Sequence, residues 1–146
     1  MTAPRYLVDI GFKTLNLFHR SVLRATGARV GGSAFGMPIV ELHTLGRKSG
    51  LVRSVLLASP VVDGHTIVLV ASKGGDNRNP EWFENLIVHP DVEVTIDKQR
   101  RPMHARIANV DEESELWPRV VESYRPYAAY RRRAHRTIPL IICEPR

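Results

Sequence analysis

The stretch from Ile39 to Ser72 reads IVELHTLGRKSGLVRSVLLASPVVDGHTIVLVAS. Its apolar and β-branched residues fall into the runs Ile39–Leu45, Val52–Ser59 and Thr66–Ser72, parted by the glycine-bearing segments GRKSG and VVDGH. Runs of that length between turn-formers read as short strands, and in succession they predict an antiparallel meander.

Beyond Ser72, KGGDNRNP (73–80) is too polar and too rich in glycine to be an element. Asn79-Pro80 has the form of a helix cap and first helical position, which predicts a short helix through Val88 with free backbone N–H groups at its start. Val92–Asp97 alternates Val92, Val94 and Ile96 with Glu93, Thr95 and Asp97. With Met103–Val110 it predicts a hairpin around the basic turn KQRR, one face wet. Asp111 opens a second helical region rich in early acids, which Pro118 and Pro126 interrupt or kink, and Ile138–Cys143 reads as a last buried strand. In the other direction, Leu7, Ile10, Leu15, Phe18 and Val22 recur at helical spacing, predicting an amphipathic helix over Tyr6–Ala25 that Gly27 ends. The segment Gly27–Pro38, with Gly31, Gly32 and Gly36, is expected to be an irregular connector. This order has no βαβ alternation, which disfavours a doubly wound sheet. The expected class is mainly β with flanking helices (α+β), an antiparallel barrel with helices outside.

At 146 residues the chain is expected to form a single domain, residues 1–30 being the N-terminal helix and connector and 39–146 the barrel. An apolar fraction of 43% and a charged fraction of 25% are ordinary globular usage and exclude a disordered or fibrous chain. The formal net charge of +6 points to an anionic partner without naming it. The single cysteine, Cys143, cannot form an internal disulfide, which favours a reducing compartment. Asp9, Lys13, Asn16 and Arg20 interrupt any apolar leader, so a cytoplasmic location is expected.

Gly46-Arg47-Lys48-Ser49-Gly50, with Arg53 just beyond, places cations and a hydroxyl at one glycine-bounded turn, an arrangement suited to phosphate. A basic turn alone is more often a solvated hairpin tip, and this one is neither a P-loop nor a nucleophile elbow. Ala71-Ser72-Lys73-Gly74-Gly75 runs a strand into glycines that admit a ligand to the main chain, and Lys73 would meet the same anion if its strand neighbours the basic hairpin. In the helix after Pro80, Trp82 and Phe83 read as core and Asn85 as a polar ligand contact. Tyr124, Tyr127 and Tyr130 recur every three residues, a phenol stripe that is usually packing. The six histidines are scattered without zinc-ligand spacing, so no metal is expected, and no nucleophile and base pair is assembled by spacing.

Taken together, LHTLGRKSGLVRSV, VLVASKGGDNRNPEWFENL, HPDVEVTI, YRPYAAY and RTIPLIICEP resemble, in this order, the deazaflavin (coenzyme F420)-dependent nitroreductase family over nearly everything from Ile39 onward. The resemblance implies an FMN-binding-like split β-barrel, related to the flavin reductases, with the coenzyme in a groove. It implies that Arg47, Lys48, Ser49, Arg53 and Lys73 hold the coenzyme's phosphate and acidic tail. It implies further that Ser54, Val55, Leu56, Leu57, Ala58, Val70, Ala71 and Ser72 line the deazaflavin ring, and that Glu81, Trp82, Phe83 and Asn85 close over it. Tyr127 and Tyr130 match tyrosines beside ring and substrate and are the catalytic candidates, Tyr127 also contacting the coenzyme. Ala58 stands where some relatives have a tyrosine, and Glu81 where an apolar residue can occur. The implied activity is hydride transfer from reduced F420 to an electron-poor acceptor such as a quinone, activated enone or nitro compound. The rivals are an FMN- or haem-binding split barrel without deazaflavin activity and, well below, a basic nucleic-acid or membrane-surface module. No nucleic-acid partner is expected, the N-terminal helix is a candidate for peripheral contact with the inner face of the membrane, and the sequence leaves the oligomeric state open.

Overall fold

A computed structural model describes residues 33–146; the helix expected over Tyr6–Ala25 lies outside the described residues. The strands are β1 (Ser33–Ala34), β2 (Met37–Leu45), β3 (Val52–Ala58), β4 (Val61–Asp63), β5 (Thr66–Val70), β6 (Asp91–Ile96), β7 (Gln99–Ile107) and β8 (Leu140–Pro145). The helices are α1 (Glu81–Val88), α2 (Val110–Ser123) and α3 (Pro126–Arg133), and a short 3₁₀ turn covers Lys73–Gly75. All strand pairs are antiparallel. From β2 the sheet continues through β6, β7, β8 and β5 to β4, while β3 takes the opposite side of β2 and β1 pairs with its first residues.

The expected meander holds for its first hairpin and fails for its third strand. β2 and β3 pair in register from Ile39↔Ala58 to Leu45↔Val52, but β5 pairs with β4 and β8, not with β3. Pro60, without an N–H to give a ladder, breaks the chain after Ala58, and Val61–Asp63 folds back on Thr66–Val68 around Gly64, whose φ is +60°. VVDGH is therefore a hairpin of its own and not mere punctuation. Ser59, fully buried, closes the corner: its N–H donates to the Pro38 carbonyl at 2.9 Å, and its Oγ donates to the Val68 and Val61 carbonyls at 2.7 and 3.0 Å. The two ends of the sheet are thereby drawn together into a barrel.

Side-chain alternation sorts the apolar residues into two cores. Val40, Leu42, Ile67, Leu69, Val94, Met103 and Ile141 point into the barrel, where Trp82, Phe83 and Leu86 of α1 plug it. Val68, Val70, Leu140 and Ile142 point the other way, under Trp117 and Val120 of α2 and Tyr127 of α3. β5 and β8 are thus covered on both faces, which is why both read as unbroken apolar runs. Each such side chain, fully buried, contributes about 1.5–3 kcal/mol relative to exposure.

Other boundaries move for local reasons. The β6–β7 turn is Asp97-Lys98, both left-handed at φ +50° and +66°, so most of KQRR is strand β7 and not turn. The helix after Asn79 starts one residue late, at Glu81, with Pro80 as its cap, and the Phe83 and Glu84 N–H groups at its start donate to the Pro80 carbonyl. α2 starts at Val110 behind a capping box: Asn109 Oδ1 accepts from the Glu112 N–H at 2.9 Å, and Glu112 Oε1 accepts from the Asn109 N–H at 3.0 Å. It runs through Pro118, anchored by the buried Trp117 and Val120, and stops at Tyr124; Pro126 then occupies the first turn of α3, where its missing N–H costs nothing. The last strand begins at Leu140, two residues after the expected Ile138.

Candidate functional site

The basic turn between β2 and β3 is closed by its own backbone. The Gly46 N–H donates to the Leu51 carbonyl at 2.8 Å and the Gly50 N–H to the Gly46 carbonyl at 2.9 Å, while Ser49 Oγ accepts from the Leu51 N–H at 3.1 Å. Any Cβ on Gly46 would meet Ser49 Oγ at 2.5 Å and the Leu51 carbonyl at 3.1 Å, so only glycine lets the turn close this tightly. Lys48, Ser49 and Arg53 are exposed, and among the described residues no carboxylate pairs with Lys48 or Arg53. Arg47 points back instead. Its N–H and Nη1 reach Asn85 Oδ1 at 3.2 and 2.8 Å, and its Nη2 pairs with Glu81 Oε2 at 2.8 Å. Asn85 is buried and completes the brace by donating from Nδ2 to Thr44 Oγ1 at 3.2 Å. The residue expected to touch a ligand therefore fastens α1 to the basic turn. Trp82 and Phe83 on the same helix are buried in the barrel core, and Glu81 is exposed.

Within β3 the stretch Ser54–Ala58 divides between two faces. Val55 and Leu57 pack on the barrel core, while Ala58 packs on the second core with the tyrosines. Leu56 is buried, and Ser54 Oγ lies 2.8 Å from Nδ1 of His43, whose Nε2 is 2.9 Å from Thr95 Oγ1.

Val70, Ala71 and Ser72 are buried where β5 leaves the sheet, and Lys73, Gly74 and Gly75 follow with φ of +46°, +63° and +84°. Gly75 abuts α3 so closely that a Cβ would stand 3.1 Å from Tyr130 Cα and 3.2 Å from its carbonyl. The loop is held by a residue that the sequence reading passed over. Arg136 donates from Nη2 to the Ala71 and Ser72 carbonyls at 2.9 and 3.1 Å, from Nε to the Asp76 carbonyl at 3.0 Å and from Nη1 to Asn79 Oδ1 at 2.7 Å. Asn79 is thus a latch for Arg136 and not a helix cap. Since β3 and β5 are not hydrogen-bonded neighbours, Lys73 and the basic turn are related through this loop and α1: Gly75 lies against Tyr130 at one end, and Glu81 reaches Arg47 at the other.

The tyrosines meet although a helix break separates them. Tyr124 and Tyr127 stand edge to face at 5.3 Å between ring centroids, Tyr127 and Tyr130 likewise at 5.9 Å, and Phe35 stacks on Tyr124 at 5.0 Å. Burial is the main force raising the phenol pKa of both Tyr127 and Tyr130, with a hydrogen bond to Tyr124 adding to it at Tyr130. Both phenols stay protonated through the neutral range.

The family described as F420H(2)-dependent quinone reductase matches residues 17–145. The F420H(2)-dependent quinone reductase Rv1261c of Mycobacterium tuberculosis (strain ATCC 25618 / H37Rv) is 34% identical over 137 residues, covering 91% of each chain. A solved F420-H2 dependent reductase, FDR-A, superposes with a TM-score of 0.67 at 39% identity, over 73% of this chain and 94% of that one. A solved structure described as a domain-swapped dimer superposes with a TM-score of 0.69 at 34% identity, over 90% and 96%.

Proposed function

The chain belongs to the F420H(2)-dependent quinone reductase family, and from that premise we propose that it reduces quinones with a hydride from reduced coenzyme F420 laid along strand β3. The observation that carries this reading is the polarity of that strand. Arg53, exposed and without a carboxylate partner among the described residues, stands at its start, next to the turn that carries Lys48, and Ala58, at its end, packs on the core that holds Tyr127 and, at its margin, Tyr130. The five steps from Arg53 to Ala58 cover roughly 17 Å at the rise of a strand. Among the described residues β3 pairs with β2 alone, so an elongated ligand along its other edge can meet both faces, with an anionic group at the Arg53 end and a planar ring at the Ala58 end.

The residues fit the coenzyme by their donor chemistry. Lys48, Arg53 and Lys73, with the Ser49 hydroxyl, would hold the phosphate and acidic tail, and Arg47, fixed by Asn85 and Glu81, would keep the turn in place. Ala58, Val70 and Ser72 would border the ring, and the glycines after Lys73 would let it approach the main chain. When bound, the coenzyme supplies a hydride. The protein's part is to hold donor and acceptor together and to supply hydrogen bonds where charge develops. Protonated Tyr127 would donate to the quinone oxygen as it becomes anionic, with Tyr130, bonded to Tyr124, beside it, and the quinone gains the hydride and one proton to become the hydroquinone.

The test is to mix the protein with reduced F420 and a panel of quinones, enones and nitro compounds and follow the return of the oxidised chromophore. Quinone-dependent oxidation is the expected result, and no oxidation with any acceptor would overturn the reading. Tyr127→Phe should lower turnover roughly 100-fold, the scale seen on losing one such donor, while coenzyme affinity changes little. We place the protein in the cytoplasm, which accords with a lone cysteine whose buried thiol is pushed up to about 12. No helix among the described residues is long and apolar enough to cross a membrane.

A further inference from the structure

Arg133 closes α3 at the edge of the tyrosine cluster. Its Cζ lies 5.9 Å from the centroid of the Tyr130 ring, and its Nη1 donates to the Gly74 carbonyl at 3.3 Å. The missing Cβ of Gly75 is what lets the end of α3 come this close, since a Cβ there would stand 3.1 Å from Tyr130 Cα and 3.2 Å from its carbonyl. The guanidinium is therefore held between a phenol ring and the loop that follows β5.

Its surroundings leave it donors to offer. Arg78, Arg100, Arg106 and Arg119 each face a carboxylate at 3.0 Å or less. Among the described residues no carboxylate pairs with Arg133, and a backbone carbonyl takes only one of its five N–H donors. The preference of helix C-termini for cations accounts for a basic last turn, and Arg131 and Arg132 satisfy it as well. It does not account for a guanidinium over Tyr130. Arg131 is turned the other way, onto the Trp117 ring at 4.5 Å.

We infer that Arg133 is a specificity-determining residue that favours acceptors carrying a carboxylate, sulfonate or phosphate group, gripping that group while the reducible ring lies at Tyr127 and Tyr130. A planar fork of N–H donors suits such oxyanions and a lysine ammonium suits them less well. The inference rests on the proposed function, because it takes the phenols as the place where the acceptor sits.

The test measures kcat/KM with reduced F420 for a naphthoquinone and its ring-sulfonated derivative, in the wild type, Arg133→Gln, Arg133→Lys and Arg132→Gln, with the coenzyme dissociation constant of each. Taking the ratio of sulfonated to neutral substrate in each variant cancels the difference in reduction potential between the two quinones. The expected ratio falls about tenfold in Arg133→Gln, the scale of one lost charge-assisted hydrogen-bonded contact, and less in Arg133→Lys. It stays at the wild-type value in Arg132→Gln, which removes the same charge; any change in coenzyme affinity is common to both quinones and leaves the ratio untouched. An equal ratio in Arg133→Gln and Arg132→Gln, or an effect confined to coenzyme affinity, overturns the inference and leaves the quinone reductase reading standing. A wild type that reduces neither quinone removes both.

Discussion

Asn85 joins three elements through one amide: the Arg47 main chain and guanidinium on its Oδ1, and the Thr44 hydroxyl on its Nδ2. Removing it strands buried polar groups in a place that water reaches poorly. Asn85→Ala should therefore cost about 1–3 kcal/mol of stability in urea unfolding, and it should weaken coenzyme binding because the basic turn loses its brace. Unchanged affinity in a destabilised variant would show that the turn keeps its shape without it. Glu112 makes a second residue-scale case. Its carboxyl is held down to about 2, first by the hydrogen bonds from Arg106 and then by the Asn109 N–H of the capping box. A folded pKa below the unfolded value means that this contribution is whole above the ordinary carboxylate range and is lost as the pH falls toward 2. Glu112→Gln should accordingly unfold at lower urea concentration than the wild type at pH 7, with the gap closing on acidification. A gap that stayed constant with pH would contradict the assignment.

The loop from Ala71 to Asn79 behaves as one element because Arg136 bonds it at both ends and in the middle. Arg136→Lys keeps the charge but cannot span those acceptors with a planar fork. Amide hydrogen exchange over residues 72–79 should rise, and coenzyme affinity should fall with it; protection equal to the wild type would mean that the glycine turns alone hold the loop. This latch marks the boundary of what the sequence discloses. Strands such as β2, β5 and β6 were readable because alternation or an unbroken apolar run is a local signal. β4 was missed because three residues carry too little pattern, and the basic run KQRR looked like a turn although only the left-handed pair Asp97-Lys98 turns the chain. The cation-rich turn was legible as a cluster of like residues between glycines. The partners of Asn85 and Arg136 were not, since Arg47 lies 38 residues from Asn85 and Asp76 lies 60 from Arg136. Nothing local in either neighbourhood announces such pairings.

At the scale of the molecule, the barrel supplies a fixed frame in which the second core sets the tyrosines against the ends of β3 and β5. The basic turn stands at the opposite end of β3. The net charge of +6 adds a long-range attraction for an anionic coenzyme, screened over about 10 Å at ordinary ionic strength. Cys143, buried and with its thiol pushed up to about 12 by desolvation, should resist thiol reagents in the folded protein and react on unfolding. Rapid native labelling would show that the β8 face of the barrel opens. The most direct test of the whole account is a fluorescence titration of oxidised F420 into the wild type, Lys48→Ala and Lys73→Ala at low and high salt. If cations of the basic turn and of the loop after β5 hold one anionic coenzyme, each variant should bind about tenfold more weakly at low salt, with a shallower salt dependence than the wild type. Wild-type affinity in both variants at both salt concentrations would contradict it.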